Sequence, residues 1–260
     1  MTIEMINGRR VGVSRKGAGA PMLMLHCALA HKGALLPLVS ALPPRAFTLF
    51  DLPGHGESEY DSSADLQAQA VETAASLLEA SGPADVFGHS FGATVALKLA
   101  QERPDLVRSL SLYEPVYFSV LAKANPAAYA EEAKASLPFT EASIAGDWPA
   151  AAQAFLARWG GGDLGALPPA QKAYILKTIP LIMASEASII APETGEVVLA
   201  GMAKLTVPTL LLKGAASPVV ISEISNVLTH RGPSVRLETI AGAGHMGPLT
   251  HVAEVAEIIA

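Results

Sequence analysis

Gly88-His89-Ser90-Phe91-Gly92 stands where an apolar strand must turn directly into a helix: Ala84-Asp85-Val86-Phe87 precedes it, and a helix-forming stretch from Ala93 runs on until Pro104 stops it. In a chain of 260 residues the bare G-x-S-x-G pattern turns up roughly 0.1 times by accident, so the flanking strand and helix carry the inference. A reversal this tight strains the central residue and presses the residues two positions away against neighbouring backbone, where Gly88 and Gly92 have no Cβ to clash. Ser90 is left projecting beside a helix N-terminus, whose backbone N–H groups favour developing negative charge. That is the arrangement of a nucleophile elbow, and Ser90 is the candidate nucleophile.

Half of the residues are hydrophobic and 16% are charged, the composition of a globular protein with buried strands rather than of a disordered chain. With 18 basic against 24 acidic residues, a net charge of −6 and no Lys/Arg run, nucleic acid is not an expected partner. Met1-Thr2-Ile3-Glu4-Met5 lacks the basic and apolar regions of a signal peptide, and the apolar run from Met22 to Leu29 is interrupted by His26. The expectation is a cytoplasmic protein without a membrane partner. A single cysteine, Cys27, leaves no internal disulfide and no cysteine-based metal cluster.

Ile3–Ile6 and Arg10–Ser14 read as strands turned at Asn7-Gly8, a strong hairpin dipeptide. Met22–His26, Ala46–Phe50, Val107–Tyr113, Pro208–Leu212 and Ser234–Glu238 read as further strands. Helices are expected near Gly33–Leu42 and Ala64–Ala80, between the last two strands, and from about Pro248. Strands alternating with helices imply a mostly parallel sheet covered on both faces. From about Tyr117 to Lys204 the alternation fails: the stretch holds both tryptophans, Trp148 and Trp159, and helix patterns without strands, broken at Gly160-Gly161-Gly162 and Pro168-Pro169. The division expected is a core of residues 1–116 and 205–260, with residues 117–204 inserted as a helical cap over the carboxyl edge of the sheet.

A serine hydroxyl needs a positioned base, usually histidine. Of seven histidines, His245 lies in the Gly-rich loop Ala241–Met246 after the last strand and is the candidate base. His26 ends a strand beside the elbow and suits a supporting role, His55 suits loop packing, and His89 should point away from the nucleophile and bond locally. His31, His230 and His251 suit solvated surface. The acid is less direct: after the penultimate strand, where an aspartate would be expected, the chain has Ser217. Glu114, at the tip of the strand that follows the elbow helix, is the candidate acid, with a serine–histidine dyad as the alternative. The candidate oxyanion donors are the amides of Phe91 and Ala28, with Leu29 as a substitute, and Cys27 reads as a small buried filler.

Leu25–Ala28, Asp51–Ser58, Gly88–Gly92, Leu112–Pro115 and Gly242–Met246, in this order and spacing, resemble the α/β-hydrolase superfamily over nearly the whole chain. The resemblance implies an α/β-hydrolase fold, a serine hydrolase of the carboxylesterase type with Ser90, His245 and Glu114 as nucleophile, base and acid, and no metal or organic cofactor. Some superfamily members, certain haloalkane dehalogenases among them, also place the acid after the earlier strand; their elbow carries aspartate, so serine here argues against dehalogenase and epoxide-hydrolase chemistry. The expected partner is a small-molecule substrate, a largely apolar ester judged from Leu121, Phe139, Phe155, Trp159 and Ile182. A carbon–carbon bond hydrolase or lactonase, a cofactor-free haloperoxidase or perhydrolase, and a weakly catalytic binding module are the alternatives. Oligomeric state stays open, a homodimer through the cap included.

Overall fold

Asn7 and Gly8 both take left-handed backbone, with φ of 51° and 76°, and turn strand β1 (Thr2–Ile6) back along β2 (Arg9–Lys16). The computed structural model describes residues 2–160 and 162–260; Met1, and Gly161 within the expected Gly160–Gly162 break, lie outside the described residues. The other strands are β3 (Pro21–Leu25), β4 (Ala46–Phe50), β5 (Ala84–His89), β6 (Val107–Tyr113), β7 (Thr209–Gly214) and β8 (Val235–Ile240). They form one eight-stranded sheet in the order β1-β2-β4-β3-β5-β6-β7-β8. Only the β1–β2 and β2–β4 pairs are antiparallel; the rest are parallel.

Parallel neighbours require crossovers, and here these are helices on both faces. Alternation along each strand feeds two separate clusters: Leu23 and Leu25 of β3 with Val86 of β5 face the helices Leu66–Ser81, Phe91–Glu102 and Val219–Arg231. Met22 and Met24 of β3 with Phe87 of β5 face Leu36–Ala41 and Val252–Ile259. Leu23 and Leu25 are fully buried, so truncating either to alanine would cost about 2–5 kcal/mol through lost transfer energy and the cavity left behind.

Between β6 and β7 the chain forms only helices among the described residues. Proline in the first turn of several, and the side chains of Asn125 and Asp147 accepting from the Ala128 and Ala150 amides, set where they begin. The helix Trp148–Trp159 stops at Gly160, whose φ of 80° is left-handed. Phe139, Ala152, Leu156, Ile175 and Ile179 make a small core of their own in the middle of this segment. Both of its ends instead join the larger cluster, through Leu121 on one side and Val198 and Met202 on the other.

Candidate active site

Ser90 stands between β5 and the helix Phe91–Glu102 with φ 57° and ψ −119°, a strained conformation for a residue with a Cβ. The glycines on either side permit it. A Cβ on Gly88 would lie 2.5 Å from the Gly92 carbonyl oxygen, and one on Gly92 would collide with the carbonyl oxygens of His26 and Leu25. Ser90 itself is held in line with the sheet, its N–H donating to the Tyr113 carbonyl at 2.8 Å.

His245, Ser90 and Glu114 meet although they lie far apart in sequence. The hydroxyl of Ser90 is 2.8 Å from Nε2 of His245, and Nδ1 of the same ring is 2.6 Å from Oε2 of Glu114. Nδ1–H donates to the carboxylate, which leaves Nε2 as the acceptor for the serine O–H. In sheet order β6, which leads to Glu114, neighbours β5, which leads to Ser90, whereas β7 separates β6 from β8, so the loop carrying His245 must fold back across the end of β7. Gly214 makes room for it: a Cβ there would collide with the Ala243 carbonyl, which instead accepts from the Ala216 N–H at 2.8 Å. Two further groups fix that loop. The Tyr113 hydroxyl donates to the Gly244 carbonyl at 2.7 Å, and Nε2–H of His89 donates to the carbonyl of His245 at 2.8 Å. His89 therefore does not bond locally; its partner is 156 residues away.

Glu114 is fully buried with a left-handed φ of 51°. Its Oε1 accepts from the Gly214 N–H at 2.6 Å and from the Ser217 hydroxyl at 2.5 Å, which leaves Oε2 for the imidazole. Ser217 thus stands at the position expected for the acid and acts there as a donor to the carboxylate that comes from β6. Charge-assisted bonds of this kind orient a buried carboxylate and offset its desolvation.

The loop after β3 is fixed by two buried histidines. Nε2 of His26 accepts from the Leu52 N–H at 3.0 Å while its Nδ1–H donates to the Cys27 carbonyl, and Nε2 of His55 accepts from the Leu29 N–H at 3.2 Å while its Nδ1–H donates to the Pro53 carbonyl. Burial, with the two rings close together, pushes His26 down to about 3, and burial pushes His55 down to about 4, so both act as neutral struts. The bond to His55 occupies the Leu29 amide and removes it as a substitute oxyanion donor. Among the described residues the Ala28 amide has no protein acceptor, and that of Phe91, first in its helix, has none within the helix. Burial pushes the Cys27 thiol up to about 12, in keeping with a filler. Behind this loop, Asp51 accepts from the Lys32 ammonium at 2.6 Å and from the Lys32 and Glu57 amides.

Ser90 opens into two cavities. One, of about 430 Å³, has Ala28, Ser90, Phe91 and His245 on its floor and Phe139, Phe155, Trp159 and Ile182 on its walls. Leu121 is not among them; it is fully buried in the larger cluster, because its short helix packs against the helices Pro192–Met202 and Val219–Arg231. The second cavity, of about 550 Å³, shares Ala28, Ser90, Phe155, Trp159 and His245 and adds the polar side chains of His31, Gln171 and Tyr174. The Trp159 ring lies 4.7 Å from that of His245, centroid to centroid. Tyr174 ties the inserted helices to the loops beneath: its hydroxyl donates to the Ala30 carbonyl at 2.6 Å and accepts from the Gly56 N–H at 2.9 Å. No local sequence signal marks Tyr174, Tyr113 or His89 for these tasks, since every partner is distant along the chain. Among the described residues no group of three His, Cys, Asp or Glu side chains could hold a metal ion, and no helix is long and apolar enough to cross a membrane.

Known proteins resemble this chain in sequence and in fold. The chain is 37% identical over 107 residues to lipase LipV of Mycobacterium tuberculosis, a match covering 40% of this chain and 41% of the lipase, so it spans less than half of that relative's length. It is 28% identical over 253 residues to a pimeloyl-[acyl-carrier protein] methyl ester esterase of Xanthomonas campestris, 94% of each chain. An alpha/beta hydrolase from Sphaerobacter thermophilus shares the fold with a TM-score of 0.74 and 22% identity, over 100% of both chains. The family model described as the alpha/beta hydrolase family matches residues 22–258, from β3 through the terminal helix, and with the elbow, the strand order and the esterase and lipase relatives it places this chain in the alpha/beta hydrolase family.

Proposed function

We propose that the protein is a serine hydrolase that cleaves small, largely apolar carboxylic esters through an acyl-enzyme, with the helices between β6 and β7 acting as a cap. One observation carries the reading: an unbroken series of hydrogen bonds runs from the Glu114 carboxylate through the His245 imidazole to the Ser90 hydroxyl, and that hydroxyl faces a cavity with apolar walls. His245 takes the proton of Ser90 as the oxygen attacks the ester carbonyl, and Glu114 steadies the imidazolium that forms. The Phe91 and Ala28 amides hold the oxyanion; in well-studied cases one such donor accounts for about 10²–10³ in kcat. His245 then passes its proton to the departing alkoxide, and water repeats the sequence to release the acid.

An ester that lies across Ser90 extends into both cavities, its hydrocarbon arm against Phe139, Phe155 and Ile182 and its other arm toward Gln171 and Tyr174. The test is turnover of short-chain nitrophenyl esters together with labelling of Ser90 by a fluorophosphonate. The expected result is saturable hydrolysis and a single label, both lost in Ser90→Ala. A folded protein with neither would leave a binding module as the better account, and peroxide-dependent halogenation without ester turnover would favour the perhydrolase alternative.

A further inference from the structure

The polar side chains that line the 430 Å³ cavity have partners within the protein, with few exceptions. Glu132, almost fully buried, takes the Arg158 guanidinium on both carboxylate oxygens and the Ser136 hydroxyl on Oε1 at 3.1 Å. Arg158 also lies over the Trp159 ring, 5.3 Å from its centroid. The Ser185 hydroxyl donates to the Ile182 carbonyl at 2.7 Å, and Ser90 and His245 bond to each other. Glu186 differs. Its carboxylate lies half-buried on the cavity wall, and among the described residues no cation or hydrogen-bond donor pairs with it. The Thr140 hydroxyl on the same wall also has no partner among the described residues, but it is neutral.

A carboxylate drawn out of water without a partner is costly, and burial pushes this one above the usual carboxylate range. Glu132 and Arg158 offset each other's charge, so among the described residues the uncompensated charge on the cavity wall is that of Glu186. A ligand that brings a donor recovers what the protein has left unpaired; one that brings an anion meets like charge.

We propose that Glu186 is a specificity-determining residue that receives a hydrogen-bond donor, best an ammonium group, at the end of the substrate arm filling this cavity. The proposal rests on the hydrolase reading above. Apolar walls take the hydrocarbon spacer, and Glu186 ranks its terminus: ammonium above hydroxyl, hydroxyl above alkyl, alkyl above carboxylate.

The experiment compares nitrophenyl esters of ω-amino, ω-hydroxy, unsubstituted and ω-carboxy alkanoic acids of matched length on the wild type, Glu186→Gln and Glu186→Leu. In the wild type kcat/KM for the amino ester should exceed that for the carboxy ester by about tenfold or more. Glu186→Gln should bring the two close to parity, and Glu186→Leu should raise the rate with the unsubstituted ester. Parity in the wild type, or an amino advantage that survives Glu186→Gln, overturns the proposal. A second measurement needs no turnover: in Ser90→Ala, alkylamine and alkanoate binding is followed through the fluorescence of Trp159. Preference for the amine that vanishes with Glu186→Gln supports the proposal, and equal binding overturns it. Absence of both ester turnover and fluorophosphonate labelling would count against the hydrolase reading separately.

Discussion

Replacing Glu114 by glutamine tests the site more sharply than removing the side chain, because the surroundings decide how the amide must lie. The Oε1 position faces two donors, the Gly214 N–H and the Ser217 hydroxyl, so the amide oxygen of the variant is drawn there. Its NH2 group then points at Nδ1 of His245, which must accept. The ring proton moves to Nε2, where it donates to Ser90 and the base is lost. The corresponding amide-for-carboxylate exchange in a Ser-His-Asp triad lowers kcat about 10⁴-fold, which is about 5 kcal/mol on the barrier. Every buried group keeps a partner in the variant, so its thermal midpoint should stay near that of the wild type. Steady-state hydrolysis of a short-chain nitrophenyl ester, alongside a melting curve, makes the measurement. A folded Glu114→Gln protein that keeps more than about a tenth of wild-type kcat/KM would refute the tautomer argument and with it the role assigned to Glu114.

Ser217→Asp should gain no activity and lose stability, since it sets a second carboxylate beside that of Glu114; a rise in kcat would move the acid to position 217. Tyr174→Phe removes a bond at each of two loops and should cost about 1–3 kcal/mol in urea unfolding and lower kcat/KM, whereas an unchanged protein would show that these bonds hold nothing in place. Lys32→Met strands the buried Asp51 carboxylate, with side-chain exposures of 4% and 0% for the pair, and should cost about 3–5 kcal/mol by the same assay. His26 and His55 are held neutral down to about 3 and about 4, while an unfolded histidine titrates near 6.5. Between those values the unfolded chain binds more protons, so stability should fall as pH drops from about 6.5, by up to about 1.4 kcal/mol per pH unit for each histidine, and level off below the folded values. Urea midpoints that do not change between neutral pH and the onset of carboxylate titration would contradict this.

Local signals made much of this molecule legible in its sequence. Asn7-Gly8, the apolar strands and the elbow glycines are short-range features, and β4 and β6 have the same limits in the structure as in the sequence reading. Glu114 could be picked out as a candidate partner for His245 because Ser217 left a gap that a neighbouring strand tip could fill, and its carboxylate does lie against that ring. The side chains that hold the site were not readable. Tyr113, His89 and Tyr174 bond to groups 131, 156 and 144 residues away, and nothing beside them in the chain records it. Leu121 shows the same limit: its apolar character could not tell which of two available surfaces would bury it.

The ladder between β5 and β6 reaches past the strand ends, for the Ser90 amide bonds to the carbonyl of the residue just before Glu114. The Ser90 hydroxyl and the Glu114 carboxylate are therefore anchored to one rigid lattice and keep a fixed spacing while the sheet survives. The imidazole alone rides on a separate strap, fastened by the tyrosine and histidine that grip its carbonyls. Gentle heating should silence turnover when that strap loosens, at temperatures where the sheet itself is still intact.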